Sequence, residues 1–373
     1  MSRILFAGGG TGGHLYPALA LADEFRRRDA ANEVMFVGAR RGVEARVLPE
    51  RGVRHVLLPF EPIRRAKPWR NWRLLPSAVR SIRGLRRAFK DFAPDLVVGT
   101  GGYASGPVAG WAVIRGIPVA LQEQNSFPGI TTRVLAGRVR QIHLAFPEAR
   151  GYLKPGSTTE VYEFGNPIVP PDRSRGRAPA RNVFGLGDGL VALVMGGSQG
   201  ARSINEAMLA DLRGVAEGRL RARPPGFEIL WATGPAHHQS IQARLGQLGL
   251  GDWVHAVAYI QDMPAALASA DLAVSRAGAM ALAELCAWGV PSLLVPFPHA
   301  AANHQHHNAV ALADAGAAVL LEESQLSDGR LWDGVLGLAA DDEQRDAIAA
   351  RARERGHPDA AARIVDAMGT LLR

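Results

Sequence analysis

The stretch "RILFAGGGTGGHLYPALALADEF", residues 3–25, opens on an apolar run, Ile4-Leu5-Phe6-Ala7. It then passes through GGGTGGH, residues 8–14, and continues as Leu15-Tyr16-Pro17-Ala18-Leu19-Ala20-Leu21-Ala22. A short apolar run reads as a buried strand, and the Leu/Ala-rich stretch reads as a helix. Glycines between them let the backbone approach a ligand closely and turn its N–H groups inward. The helix that follows adds a partial positive charge at its start. Strand, glycine turn and helix start together form a phosphate cradle, and they open a doubly wound parallel sheet.

The same arrangement recurs. "MGGSQGARSINEAMLADL" (195–212) parallels residues 7–25, and "DLAVSRAGAMALAEL" (271–285) parallels "DLVVGTGGYASGP" (95–107). Each of the latter pair leads through a helix to Gly-(Ile or Val)-Pro and another apolar strand. Apolar runs at 3–7, 34–37, 53–58, 95–99 and 117–121, then at 190–195, 227–232, 254–257, 271–274 and 292–296, alternate with helical patterns. Such alternation predicts parallel sheets with crossover helices. The segment 165–181, rich in Pro, Gly and Arg, breaks the periodicity. We therefore expect two Rossmann-like α/β domains, residues 1–164 and 165–354, facing across a cleft. A C-terminal helix, about 355–373, is expected to return to the first domain. Ligands of such sheets bind beyond the carboxyl ends of the strands, so the cleft would suit an enzyme that joins two phosphate-bearing molecules.

The 373 residues are 47% hydrophobic, as in a water-soluble globular chain. A membrane-spanning helix needs about 20 apolar residues, and the nearest candidate, 104–121, is interrupted by Pro107, Arg115 and Pro118. The N-terminal apolar run is too short for a signal peptide. One cysteine, Cys286, excludes an intramolecular disulfide and reads as a buried helix residue. The net charge is +8, and residues 62–90 hold ten Lys or Arg and no Asp or Glu. That block points to an anionic partner, or to a solvated basic helix face. Leu75, Ala78, Val79, Ile82, Leu85 and Phe89 recur there at helical spacing, after Trp69 and Trp72 and among Arg73, Arg80, Arg83, Arg86, Arg87 and Lys90. This describes either an interfacial helix or a helix packed on the first sheet.

Neither glycine turn fits Gly-x-x-x-x-Gly-Lys-(Ser/Thr), which argues against a P-loop NTPase. Gly8-x-Gly10-x-x-Gly13 matches the dinucleotide fingerprint, yet the second strand ends in Gly38-Ala39-Arg40-Arg41, with no acid for an NAD ribose. In "SRAGAMALAE" (275–284) a small-residue turn opens a helix, and Glu284 lies roughly 9 Å along it at about 1.5 Å per residue. A diphosphate at the helix start and a ribose diol at that carboxylate span a similar distance; an ordinary surface glutamate is the plain alternative. "HAAANHQHHNA" (299–309) has four histidines, but no second cluster completes a metal site. Its amides Gln305 and Asn308 suit sugar hydroxyls better. No Asp-x-Asp occurs, which counts against metal-dependent sugar transfer; no metal or other cofactor is expected.

Several stretches occur together and in order: "GGTGGH", "GGYASGP" (101–107), "EQN" (123–125), "GNP" (165–167), "GGSQGAR" (196–202), "SRAGA" (275–279) and "HQHHNA" (304–309). With them the chain resembles the MurG family, the UDP-N-acetylglucosamine–N-acetylmuramyl-(pentapeptide) pyrophosphoryl-undecaprenol N-acetylglucosamine transferases of bacterial cell-wall synthesis. The resemblance spans about residues 3–310. It implies the glycosyltransferase B fold and metal-independent, inverting transfer from UDP-N-acetylglucosamine to lipid I, giving lipid II. It also implies peripheral attachment to the cytoplasmic face of the cell membrane, with anionic lipids as partners and no nucleic acid. By resemblance, Thr11, Gly12 and Gly13 lie at the cleft and Asn125 contacts a substrate. Ser198 approaches the UDP diphosphate, and Ile260 packs by the uracil. Ala279, Met280, Ala281, Leu282, Ala283 and Glu284 line the nucleotide, with Glu284 on the ribose, and Gln305 reads the sugar. Tyr103, Gln199 and Arg276 of the same motifs count as substrate-binding. Two positions depart from the family: Val169 stands where arginine is frequent, with Arg173 a possible replacement, and Gln122 stands where histidine is frequent.

The donor has its own glycine loop at 196–200, so the first loop is the natural seat of the acceptor's diphosphate. His14, at that loop's end, is then the expected general base, because a neutral imidazole titrates near working pH. Glu123 is the next candidate. Two other readings remain at this point: a UDP-sugar epimerase of the same fold, which would not need the basic segment, and a non-catalytic sugar-nucleotide or nucleic-acid binding protein.

Overall fold

Ile4, Leu5, Phe6 and Ala7 are completely buried because β1 (Arg3–Gly8) is a central strand covered on both faces. It pairs in parallel with β2 (Glu33–Ala39) and β4 (Leu96–Gly101), Ile4 lying opposite Val34 and Leu96. The computed structural model describes residues 1–61 and 75–372 and divides into two units. The first is Met1–Val169 joined by the chain from Pro358 onward; the second is Pro170–His357.

The first unit's sheet has the order β3-β2-β1-β4-β5-β6-β7, with β3 (His55–Leu58), β5 (Val119–Glu123), β6 (Gln141–Leu144) and β7 (Glu160–Glu163). Alternate residues of each strand feed opposite helix layers, as a period of two requires. Leu5, Ala7, Met35, Val37 and Val97 pack with Leu85, Ala88, Phe89 and Phe92 of α3 (Leu75–Phe92) and with Ala104, Val108 and Ala112 of α4 (Gly102–Ile114). Ile4, Phe6, Val34, Phe36 and Val98 face the other layer, α1 (Gly12–Arg28) and α2 (Glu44–Glu50). The C-terminal helix (Ala360–Gly369) joins that layer through Ala360, Ile364, Val365 and Met368, and Arg28 pairs with Asp366.

The second unit's sheet has the order β10-β9-β8-β11-β12-β13, again all parallel. Its strands are β8 (Val191–Met195), β9 (Glu228–Ala232), β10 (Val254–Val257), β11 (Leu272–Ser275), β12 (Ser292–Leu294) and β13 (Val319–Leu320). Its core is built on the fully buried Trp231 and Trp332. All ten runs expected from the sequence are strands; β6, β7 and β13 were not anticipated. Both sheets reverse direction beside their first strand, at β1/β4 and at β8/β11, so each has one topological switch point.

The apolar stripe of α3 divides along its length. Leu85 and Phe89 are buried, whereas Ala78 is exposed and Val79 and Ile82 are 46% and 47% exposed. Trp69, Trp72 and Arg73 lie outside the described residues.

Candidate active site

In the first unit the glycine turn leaves β1 where its register with β4 slips, between Ala7 and Gly8. Thr11, Gly12 and Gly13 open α1, and first-turn N–H groups of a helix have no intrahelical acceptor. No acidic residue lies in that turn, so it keeps the electropositive character an anion needs. The Gly10 N–H, in contrast, is committed: it donates to Oε2 of Glu44 at 2.7 Å. The other oxygen of Glu44 accepts the Ala39 N–H at 3.1 Å, and the residue is fully buried. Tyr103, at the start of α4, lies against Gly10 and donates its hydroxyl to the Arg41 carbonyl. Burial first, then the charge of Glu44, raise its phenol pKa, opposed by Arg41.

His14 is partly buried in the first turn of α1, and its carbonyl accepts the Thr100 hydroxyl at 2.7 Å. Gly101 has φ +96°, and a Cβ there would stand 2.7 Å from His14 Nδ1, so only glycine leaves room for the ring. Nδ1 lies 2.9 Å from Oε1 of Gln124, just beyond β5. Thus the ends of β1, β4 and β5 bring His14, Thr11, Gly12, Gly13, Tyr103 and Asn125 to one sheet edge.

Glu123 is also there but is occupied. Its carboxylate, 4% exposed, accepts the Thr132 hydroxyl at 2.6 Å, the Gly129 N–H at 2.9 Å and the Asn125 N–H at 3.2 Å. It ties the loop after β5 to the start of α5 (Ile130–Leu135). Gln122 donates to Oδ1 of Asn166 at 2.9 Å, and Asn166 returns a bond to the Gln124 carbonyl at 3.2 Å. Sequence reasoning passed over Glu44, Thr100, Gln124 and Asn166. Only Gln124 and Asn166 carried a signal, as members of "EQN" and "GNP".

In the second unit the turn 196–200 joins β8 to α7 (Arg202–Ala216) and leaves Ser198 and Gln199 exposed. Gly200 has φ +74°, and a Cβ there would lie 2.1 Å from the Thr233 carbonyl oxygen, so this turn packs backbone against backbone on the loop after β9. At the neighbouring strand end, α10 (Ala279–Trp288) starts directly after the small-residue turn. Ala279 and Leu282 are buried; Met280, Ala281, Ala283 and Glu284 are partly buried along the helix. Among the described residues the Glu284 carboxylate has no hydrogen-bond or ion-pair partner, and burial pushes its pKa up to about 7. Ile260, in the loop after β10, is 3% exposed.

The Arg276 guanidinium is taken up by the protein. It donates to the Val295 and Pro296 carbonyls, both at 3.1 Å, and to Ser203 Oγ at 2.7 Å, pairs with Glu323, and lies over the Phe297 ring. Gln305, in α11 (His304–Asp314), accepts the Phe297 N–H at 3.0 Å, and Asn308 donates to the Ala277 carbonyl at 3.2 Å. Arg173 donates to the Ala287 carbonyl, at the end of α10 opposite Ala279. It is thus held at the far end of α10 from Ala279, and Val169 itself is 72% exposed. Among the described residues no group of three or more His, Cys, Asp or Glu side chains is placed to hold a metal.

Two parallel α/β units, each with a glycine turn into a helix at its switch point, have the architecture of the glycosyltransferase B fold. Both halves carry that signature: residues 4–144 match the model of the glycosyltransferase family 28 N-terminal domain and residues 191–364 that of the family 28 C-terminal domain. The chain is 40% identical over 371 residues to a protein of Moorella thermoacetica, covering 97% of each. It is 39% identical to one of Chlorobaculum tepidum, covering 98% of each. Both relatives are named UDP-N-acetylglucosamine–N-acetylmuramyl-(pentapeptide) pyrophosphoryl-undecaprenol N-acetylglucosamine transferase. The crystal structure of Acinetobacter baumannii MurG superposes with a TM-score of 0.76 at 27% identity, over 99% of this chain and 100% of that one. The chain belongs to the family of UDP-N-acetylglucosamine–N-acetylmuramyl-(pentapeptide) pyrophosphoryl-undecaprenol N-acetylglucosamine transferases.

Proposed function

We propose that this chain transfers N-acetylglucosamine from UDP-N-acetylglucosamine to the diphosphate-linked N-acetylmuramoyl-pentapeptide lipid, lipid I, with inversion, giving lipid II. The observation that carries the mechanism is the imidazole of His14 at the mouth of a glycine turn in one unit, with a separate nucleotide-type turn in the other. The acceptor's diphosphate sits on the first-turn amides of α1. Its sugar hydroxyl attacks the anomeric carbon of the donor as the bond from that carbon to the diphosphate oxygen breaks. UDP leaves with the bonding electrons, and the hydroxyl proton passes to His14. Glu123, whose carboxylate already accepts hydrogen bonds from Thr132, Gly129 and Asn125, serves as the brace of the β5 loop rather than as the base.

In the second unit, Ser198 and Gln199 meet the donor diphosphate, Ile260 lies beside the uracil, and residues 279–284 flank the nucleoside. Glu284 accepts the ribose hydroxyls and Gln305 reads the sugar. Arg276 acts by holding the 295–297 segment and with it Gln305. At the cytoplasmic membrane surface, exposed Val79 and Ile82 with Arg80, Arg83, Arg86 and Lys90 make the contact. Basic residues near an anionic leaflet contribute about 1 kcal/mol each. No helix among the described residues is long and apolar enough to span a membrane.

The test is incubation with UDP-N-acetylglucosamine and a lipid I analogue. UDP release must depend on the acceptor. His14→Ala should lower turnover about 10²–10⁴-fold, the usual contribution of a general base, while UDP affinity stays intact. Near-normal turnover in that variant at saturating acceptor would place the base elsewhere.

A further inference from the structure

We infer that Gln124 is a positioning residue that fixes the tautomer of His14, holding the proton on Nδ1 and leaving Nε2 as the basic nitrogen. The inference rests on the reading of His14 as the base. Gln124 is 2% exposed, so its amide has no exchange with solvent to blur its orientation. Its Nε2 faces the Thr100 carbonyl at 2.8 Å, the Gln122 carbonyl at 2.9 Å and Oε1 of Gln122, which its two N–H groups share. All three partners are acceptors. Turning the amide by 180° would press its own oxygen against them, so one orientation survives.

The orientation of Gln122 is set in the same manner. Its Nε2 donates to Asn166 Oδ1, and Asn166 Nδ2 donates to the Gln124 carbonyl. This leaves Oε1 of Gln122 facing Gln124. The chain of bonds therefore starts on backbone carbonyls, which cannot reverse, and ends with Oε1 of Gln124 against the ring. An amide oxygen only accepts, so Nδ1 of His14, 2.9 Å away, is the donor. A neutral imidazole has a single N–H. Nε2 then carries the lone pair that a general base needs. The ring also packs against Gly101, so the orienting bond and the packing act on the same group.

The test is nitrogen-15 NMR of the histidine-labelled full chain at pH 8, with His14 assigned by its loss in His14→Gln. The protonated ring nitrogen resonates far upfield of the unprotonated one, so the tautomer is read directly. Wild type should show Nδ1–H. Gln124→Met, of similar size but without the amide oxygen, should lose that state. In Gln124→Met turnover should fall on the order of 10²-fold, the effect of a slightly misplaced catalytic group, with unchanged affinity for UDP. Nε2–H at His14 in wild type, or Nδ1–H surviving in Gln124→Met, overturns the inference. If Gln124→Met does not fold, the wild-type spectrum decides alone. Normal turnover in His14→Ala together with Nδ1–H in wild type would remove the base and leave the tautomer assignment standing.

Discussion

At pH 8 the Glu284→Gln protein should be more stable than wild type, and at pH 5 it should not. Burial without a hydrogen-bond partner raises the carboxyl from 4.5 to about 7. A raised pKa means the folded chain holds the proton more tightly than the unfolded one. The associated stability is fully present below about 4.5 and is lost as pH rises through about 7. The full difference corresponds to about 3 kcal/mol. Urea unfolding at the two pH values measures it. In the proposed role at the ribose, the ionised carboxylate is the form that accepts both hydroxyls, so the donor should bind about tenfold more weakly at pH 6 than at pH 8. UDP-N-acetylglucosamine is the proper ligand for calorimetry, because its diphosphate is a diester with no ionisation in that range. Glu284→Gln should flatten the dependence, which separates Glu284 from the histidines of α11. A wild-type affinity independent of pH, or a slope that survives in Glu284→Gln, would refute the reasoning.

Glu44→Ala strands the N–H groups of Gly10 and Ala39; each loss costs about 1–3 kcal/mol, so unfolding by urea should show about 2 kcal/mol or more. The acceptor KM should rise with it, while calorimetry with UDP should show no change, since the residues proposed for the nucleotide lie in the other unit. Val79→Ser with Ile82→Ser should change stability by no more than about 0.5 kcal/mol, as both side chains are half exposed. Co-sedimentation with anionic vesicles should fall in that variant; equal binding, or binding indifferent to salt, would sink the membrane contact.

The fold was legible because its central strands are apolar on both faces and its turns are written in glycine, and both are local signals. The edge of the first sheet was not. β6 reads "QIHL", and its polar side chains are buried for reasons far away in the chain: Gln141 donates to the Ala367 carbonyl at 3.0 Å, and the His143 ring stacks on Tyr162. β7, "EVYE", is exposed at both ends, and β13 has only two residues. In α3 the helical spacing identified an apolar face but could not say where along the helix the sheet stops covering it.

The site divides along the same line. The glycine turns, His14 and Glu284 stand out within a few residues of sequence. Gln124 and Glu44 do not, because their importance lies in partners 110 and 34 residues away. Glu44 shows how a correct local rule misses. The dinucleotide pattern asks for an acid at the end of the second strand, facing a ribose, and Arg40-Arg41 seemed to exclude it. An acid is present a few residues further on, but the chain turns it inward beneath the first glycine loop, where it holds the Gly10 amide. By taking up the Gly10 amide, this buried carboxyl leaves those of Thr11, Gly12 and Gly13, at the start of α1, for a phosphate. The loop therefore offers an anion the amides over the helix start, next to His14, where the proposed mechanism seats the acceptor diphosphate.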